Sequence, residues 1–206
     1  MRSTLDKVAV LAMLAVAAGT VRAQDVPGDQ ETVRRAIHVC AACHGEGGIS
    51  TKKAIPSLAA QMPQYFITQL KDFRSQTRAE SGTQAYMWGI SALLDDVTIA
   101  GLADYYAKQP AASGKTTNAA LVKQGKAIFV KGMPAKGVRP CAQCHGDVAE
   151  GAAGFPRLAG QRADYVEAQL KLFRTRLRPH GVIMKDEVKA MTPAEDKAVA
   201  AYVQSL

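Results

Sequence analysis

Pro56-Ser57-Leu58-Ala59-Ala60-Gln61 and, one hundred positions on, Pro156-Arg157-Leu158-Ala159-Gly160-Gln161 open two stretches that repeat one another. The match continues through Tyr65 and Tyr165, Gln69-Leu70-Lys71 and Gln169-Leu170-Lys171, Phe73-Arg74 and Phe173-Arg174, and Arg78 and Arg178, giving eleven identities at one offset. Self-similarity at a fixed spacing decides the architecture before any local reading does. The offset becomes 101 at Cys40 and Cys141 and 97 at Met87 and Met184, so length differences fall in loops between fixed points. The chain is a tandem duplication.

Working outward, Gln109 to Asn118 lies between the copies and holds Pro110, Ser113, Gly114 and two threonines, a turn-rich composition. This places a linker at 110–118 between an N-terminal domain at 24–109 and a C-terminal domain at 119–206. Inside each copy the period is helical: Tyr65, Phe66, Gln69, Leu70 and Phe73 follow i, i+4 rows, and Tyr165, Val166, Gln169, Leu170 and Phe173 repeat them. Pro63 suits a first helical turn, and Asp95-Asp96 open a pattern that runs to about Lys108. Thr192-Pro193 with Glu195 gives its counterpart a cap and an acidic first turn. Strand-like alternation is absent, so the expected fold is all-α, a few helices per half. With five Phe and one Trp in the whole chain, the core of each half is short of large side chains, and something else must fill its middle.

Residues 1–23 carry Arg2 and Lys7, an apolar run from Val8 to Ala18, and the small-x-small site Val21-Arg22-Ala23, the pattern of a signal peptide cleaved after Ala23. A retained anchor needs about twenty apolar residues, roughly twice this run. Export to the periplasm is expected, and it removes nucleic acid from the list of partners. The formal net charge of +8 is uneven: residues 24–112 hold 8 basic and 9 acidic groups, residues 113–206 hold 15 and 8. A basic pole is ordinarily solvated surface, but it can also orient a molecule towards an acidic partner.

All four cysteines belong to two copies of one arrangement, Cys40-Ala41-Ala42-Cys43-His44 and Cys141-Ala142-Gln143-Cys144-His145. This is the attachment signature of a c-type haem. Cys40 and Cys43, and Cys141 and Cys144, are spaced to form thioethers with the haem vinyl groups, which leaves His44 and His145 as proximal iron ligands. A redox disulfide would call for a βαβ setting and a zinc site for a second Cys/His pair, and neither is present. The expected cofactors are two covalently bound haem c groups. For the sixth ligand the repeat is informative: Met62, Met133 and Met191 have no methionine at the aligned position, whereas Met87 and Met184 match. A methionine at helical spacing is usually core, but this duplicated pair behind a haem signature reads as the two distal ligands. His180, four residues before Met184, competes for the second iron, yet its counterpart is Thr83. His38 has no such support.

With His and Met at both irons no coordination position is left for substrate, and what remains is outer-sphere electron transfer rather than enzyme chemistry. The two Cys-x-x-Cys-His-Gly motifs, the Pro-x-Leu-Ala-x-Gln-x-x-x-Tyr and Gln-Leu-x-x-Phe-Arg runs, and a methionine before each last helix together resemble the dihaem cytochrome c4 family of bacterial periplasms, over nearly all of residues 24–206. The resemblance implies two tandem class I cytochrome c domains packed about a pseudo-twofold axis with their haem propionates close. It further implies that the carbonyls of Pro56 and Pro156 orient His44 and His145, that Arg78 and Arg178 reach propionates or the interface, and that electrons pass from a membrane quinol-oxidising complex or a dehydrogenase to a terminal oxidase. The carrier is expected to be soluble or peripherally attached to the membrane. Two departures bear on loop geometry: Ala60 stands where the second copy and the family have glycine (Gly160), and the turn Gly45-Glu46-Gly47-Gly48 is expected to loosen after Gly146. The alternatives are a haem subunit or enzyme of the peroxidase or thiol-oxidising type with one open iron, for which there is no spare cysteine, and a gas sensor, for which there is no signalling domain.

Overall fold

The computed structural model describes residues 28–79, 84–115 and 118–206; the expected signal peptide at 1–23, with its cleavage after Ala23, lies outside them. Described residues form helices and turns, with two isolated bridges, Met133 with Val138 and Ala152 with Phe155, and no strand. The first half contains α1 (Gly28–His44), α2 (Pro63–Arg74), α3 (Gln84–Ala92) and α4 (Asp96–Ala107). The second contains α5 (Ala119–Lys131), α6 (Ala142–His145), α7 (Ala163–Phe173), α8 (Val182–Val188) and α9 (Pro193–Ser205).

Local chemistry sets the helix starts. Pro63 occupies the first turn of α2, where its missing N–H is no loss. Asp95 caps α4 by accepting from Thr98 N at 2.7 Å, and Thr192 with Glu195 closes a capping box on α9. In each half the last helix packs on the first and on the one that follows the haem motif: α4 on α1 and α2, α9 on α5 and α7. The first core centres on Phe66, Leu70, Ile99, Leu102, Ala103 and Tyr106, and the second on Ile128, Phe129, Leu170, Val199, Tyr202 and Val203.

The halves are not identical. Helix α1 runs unbroken through Cys40, Cys43 and His44, whereas residues 132–140 interrupt the second copy between α5 and the short α6. The chain leaves α5 at Gly132 (φ 65°) and doubles back through a turn closed by Met133 and Val138. The turn after the haem motif corrects the expectation that it is looser in the second copy. Gly48 (φ 80°) offers its carbonyl to the N–H groups of Leu58 and Ala59, and Ala149 (φ 59°) offers its own to Leu158 and Ala159. The two bonds hold Ala149 in the left-handed region that glycine adopts without strain. Ala60 (φ 54°) likewise keeps the conformation of Gly160 (φ 74°).

The halves meet along a nearly symmetric polar seam. Arg78 donates to Gln69 Oε1 (2.8 Å), Tyr165 OH (3.1 Å) and Gln169 Oε1 (3.2 Å). Arg178 mirrors it, donating to Gln169 (2.7 Å), Gln69 (2.7 Å) and Tyr65 OH (3.3 Å). Each guanidinium lies over a phenylalanine of its own half, Phe73 at 4.4 Å and Phe173 at 4.1 Å. Both arginines are buried, so their place is the interface.

Candidate functional site

A cavity of about 590 Å³ lies between the halves, and Cys40, His44 and Met87 line it together with Cys141, His145 and Met184. Its wall is completed by apolar side chains such as Leu58, Phe66, Ile90, Phe129, Phe155, Leu158 and Val199. Here is the space that the paucity of large side chains predicts. Cys43 is exposed, and Cys144 is half-buried beside a smaller cleft of about 50 Å³ that also touches Cys141, His145 and Met184.

In both halves the histidine ring is held from behind. His44 Nδ1 donates to the carbonyl of Pro56 at 2.8 Å and His145 Nδ1 to that of Pro156 at 2.9 Å. A carbonyl accepts only, so it fixes the Nδ1–H tautomer and puts the ring's lone pair on Nε2, the atom that ligates a metal. His145 Nε2 is buried with no hydrogen-bond partner. Burial pushes the His145 pKa down, against the smaller opposing effect of the Pro156 bond, and so favours the neutral ring that ligates. Burial also pushes the Cys40 thiol up and that of Cys141 up to about 11, so both are neutral thiols at neutral pH.

Met87, on α3, is half-buried and packs against the first core; Met184, on α8, is half-buried and packs against the second. Met133 packs on the second core without lining the large cavity, Met191 is buried in that core, and Met62 lies against Gly151. His180 also lines the cavity, but its Nδ1 bonds Asp72 of the other half at 2.9 Å and its side chain is largely exposed. His38 is exposed on α1. Sequence reasoning gave no role to Gln61 and Gln161, identical at the repeat offset, although both side chains cross the interface; their recurrence was the signal that they do more than solvate a surface.

The cytochrome c family model matches residues 122–206. Cytochrome c4 of Thiocapsa roseopersicina is 36% identical over 190 residues, covering 89% of this chain and 95% of that one. The chain belongs to the cytochrome c4 family. Cytochrome c-552 of Acidithiobacillus ferridurans is 37% identical over 195 residues, 94% of this chain and 84% of its own. A solved cytochrome c4 structure from Acidithiobacillus ferrooxidans superposes with a TM-score of 0.76 at 38% identity, over 81% of this chain and 98% of that one. A thiosulfate dehydrogenase electron acceptor of Thiomonas intermedia is 36% identical over 172 residues, 80% of this chain and 76% of its own. As a cytochrome c4, the chain is an electron-transfer cytochrome with covalently bound haem c and the class I cytochrome c fold. The residues present fit that group: an apolar cavity, neutral thiols on its wall, and an imidazole nitrogen that is buried and unpartnered. Among the described residues no helix is long and apolar enough to cross a membrane.

Proposed function

We propose that the chain binds two haem c groups, one per half, and carries electrons between redox proteins of the periplasm. Cys40 and Cys43 hold the first haem by thioethers with His44 and Met87 as axial ligands; Cys141, Cys144, His145 and Met184 do the same for the second. Haem would supply a one-electron Fe(III)/Fe(II) couple, and the chain's own residues fix the ligands, keep water from the iron and set two guanidinium groups of the seam, Arg78 and Arg178, on the cavity wall, a positive charge that would suit acidic propionates. The domains are 24–109 and 119–206 joined through 110–118, after a signal peptide at 1–23. One observation carries the reading: the same His Nδ1 to Pro carbonyl bond occurs in both halves, with a cysteine and a methionine of each half on the wall of one cavity.

The donor is a membrane quinol-oxidising complex or a dehydrogenase and the acceptor a terminal oxidase. The likeness to a thiosulfate dehydrogenase electron acceptor favours a dehydrogenase on the donor side. The purified holoprotein is expected to have the mass of the chain plus two haems, and its reduced spectrum two low-spin His/Met signatures. Ready binding of carbon monoxide at neutral pH would instead identify an open iron and an enzyme of the peroxidase or thiol-oxidising type. The basic second half supplies the docking face: neutralising exposed Arg176, Lys185 and Lys189 lowers the reaction rate with an acidic partner and flattens its salt dependence. If neither changes, docking lies elsewhere.

A further inference from the structure

We propose that each half of the protein tunes the iron of the other, through Gln61 and Gln161 acting as positioning residues for the opposite proximal histidine. This rests on the ligand assignment above. The peptide unit between Pro56 and Ser57 is bonded on both sides. Its carbonyl accepts from His44 Nδ1 at 2.8 Å, and its N–H donates to Gln161 Oε1, from the other half, at 2.8 Å. Gln161 Nε2 then donates to the Ser57 carbonyl at 2.9 Å, so the amide clasps the backbone of Ser57 with both its polar atoms. The second half is built the same way in reverse. The Pro156 carbonyl accepts from His145 at 2.9 Å, the Arg157 N–H donates to Gln61 Oε1 at 2.9 Å, and Gln61 Nε2 donates to the Arg157 carbonyl at 3.1 Å.

Backbone N–H only donates and C=O only accepts, so each amide has one workable orientation. Each Oε1 also accepts from the next N–H of its own chain segment, Met62 for Gln61 and Arg162 for Gln161, both at 2.9 Å. Gln61, Gln161 and Ser57 are buried, where water does not replace a lost partner. Hydrogen bonds on the two ends of one peptide group polarise each other: an acceptor on the N–H makes the carbonyl a better acceptor. A better acceptor behind Nδ1–H gives the imidazole more anionic character and favours Fe(III). The path from one half to the other half's ligand is therefore amide, peptide, imidazole, with no intervening side chain.

The test is a redox titration of the holoprotein followed by NMR, so that each haem is read separately. Gln161→Met removes the acceptor at similar volume and is expected to raise the potential of the first haem while that of the second stays near its parent value; Gln61→Met is expected to do the converse. A shift confined to the haem in the half that carries the substitution, equal shifts of both haems, or no shift overturns the proposal. Should either variant fail to fold, amide exchange on the parent holoprotein still decides. Ser57 and Arg157 N–H are expected to exchange as slowly as core-helix amides, and rapid exchange at both overturns the clasp. A parent spectrum without two His/Met haems would instead overturn the ligand assignment, which is a separate result.

Discussion

Arg74 and Arg174, equivalent residues of the two copies, both pair with an aspartate at the start of the last helix, but in different surroundings. Each arginine also donates to a carbonyl, Leu94 for Arg74 and Val188 for Arg174, but Asp96 is 62% exposed and shares Lys71 and Arg74, whereas Asp196 is fully buried and pairs with Arg174. The glycines at the helix crossings differ too. In the first half Gly101 of α4 faces a side chain, Val33 of α1; in the second, Gly125 of α5 faces the backbone of α9, where an added Cβ would stand 1.9 Å from the carbonyl oxygen of Ala198. Duplication copies residue types, yet the energy attached to each depends on what the surrounding chain does to it. The second half is the more tightly closed.

The ion pair gives the largest expected contrast. Asp196→Asn strands a partly buried guanidinium and is expected to cost about 3–5 kcal/mol in chemical denaturation of the holoprotein, whereas Asp96→Asn, at an exposed pair screened by water, is expected to leave the midpoint nearly unchanged. Equal losses would erase the distinction between the halves. Gly125→Ala comes next, at about 3 kcal/mol, because backbone cannot rotate away. Gly101→Ala meets Val33 Cγ2 at 2.6 Å and regains about 1 kcal/mol of helix propensity, so a nearly unchanged melting temperature is expected. The smallest single effects are at the turn before α2 and α7. Gly160→Ala puts a methyl 2.2 Å from the Ala112 carbonyl and is expected to cost about 2 kcal/mol, while Ala60→Gly relieves a left-handed alanine and gains up to about 1 kcal/mol. A loss for Ala60→Gly would mean that its methyl packs usefully.

Helix positions were largely legible because their signals are local: Pro63, Asp95 and Thr192 each act within one turn. The interruption at 132–140 was not legible, since breaking α5 from α6 depends on Gly132 and on a bridge between Met133 and Val138. The difference between Ala60 and Gly160 was visible, but its cause was not. Residues before α5 run along the second half: Lys115 N donates to the Gln204 carbonyl at 2.9 Å, and Ala112 closes over Gly160. No periodicity reports such a contact. Of the cavity wall, Cys40, His44, Met87, Cys141, His145 and Met184 were singled out in the sequence because the attachment and ligation proposed for them demand particular residue types at particular spacing.

By itself, the sequence determined the duplication, the all-α character and the chemical identity of the residues around the cavity, all of which follow from residue type and spacing along the chain. Tertiary structure alone decided that Arg78 and Arg178 face each other's half, that His180 is engaged by Asp72, and that Gln61 and Gln161 each reach behind the other half's histidine. These are contacts between residues about a hundred positions apart, made only when two copies that are each short of core pack together and must satisfy the polar groups they bury.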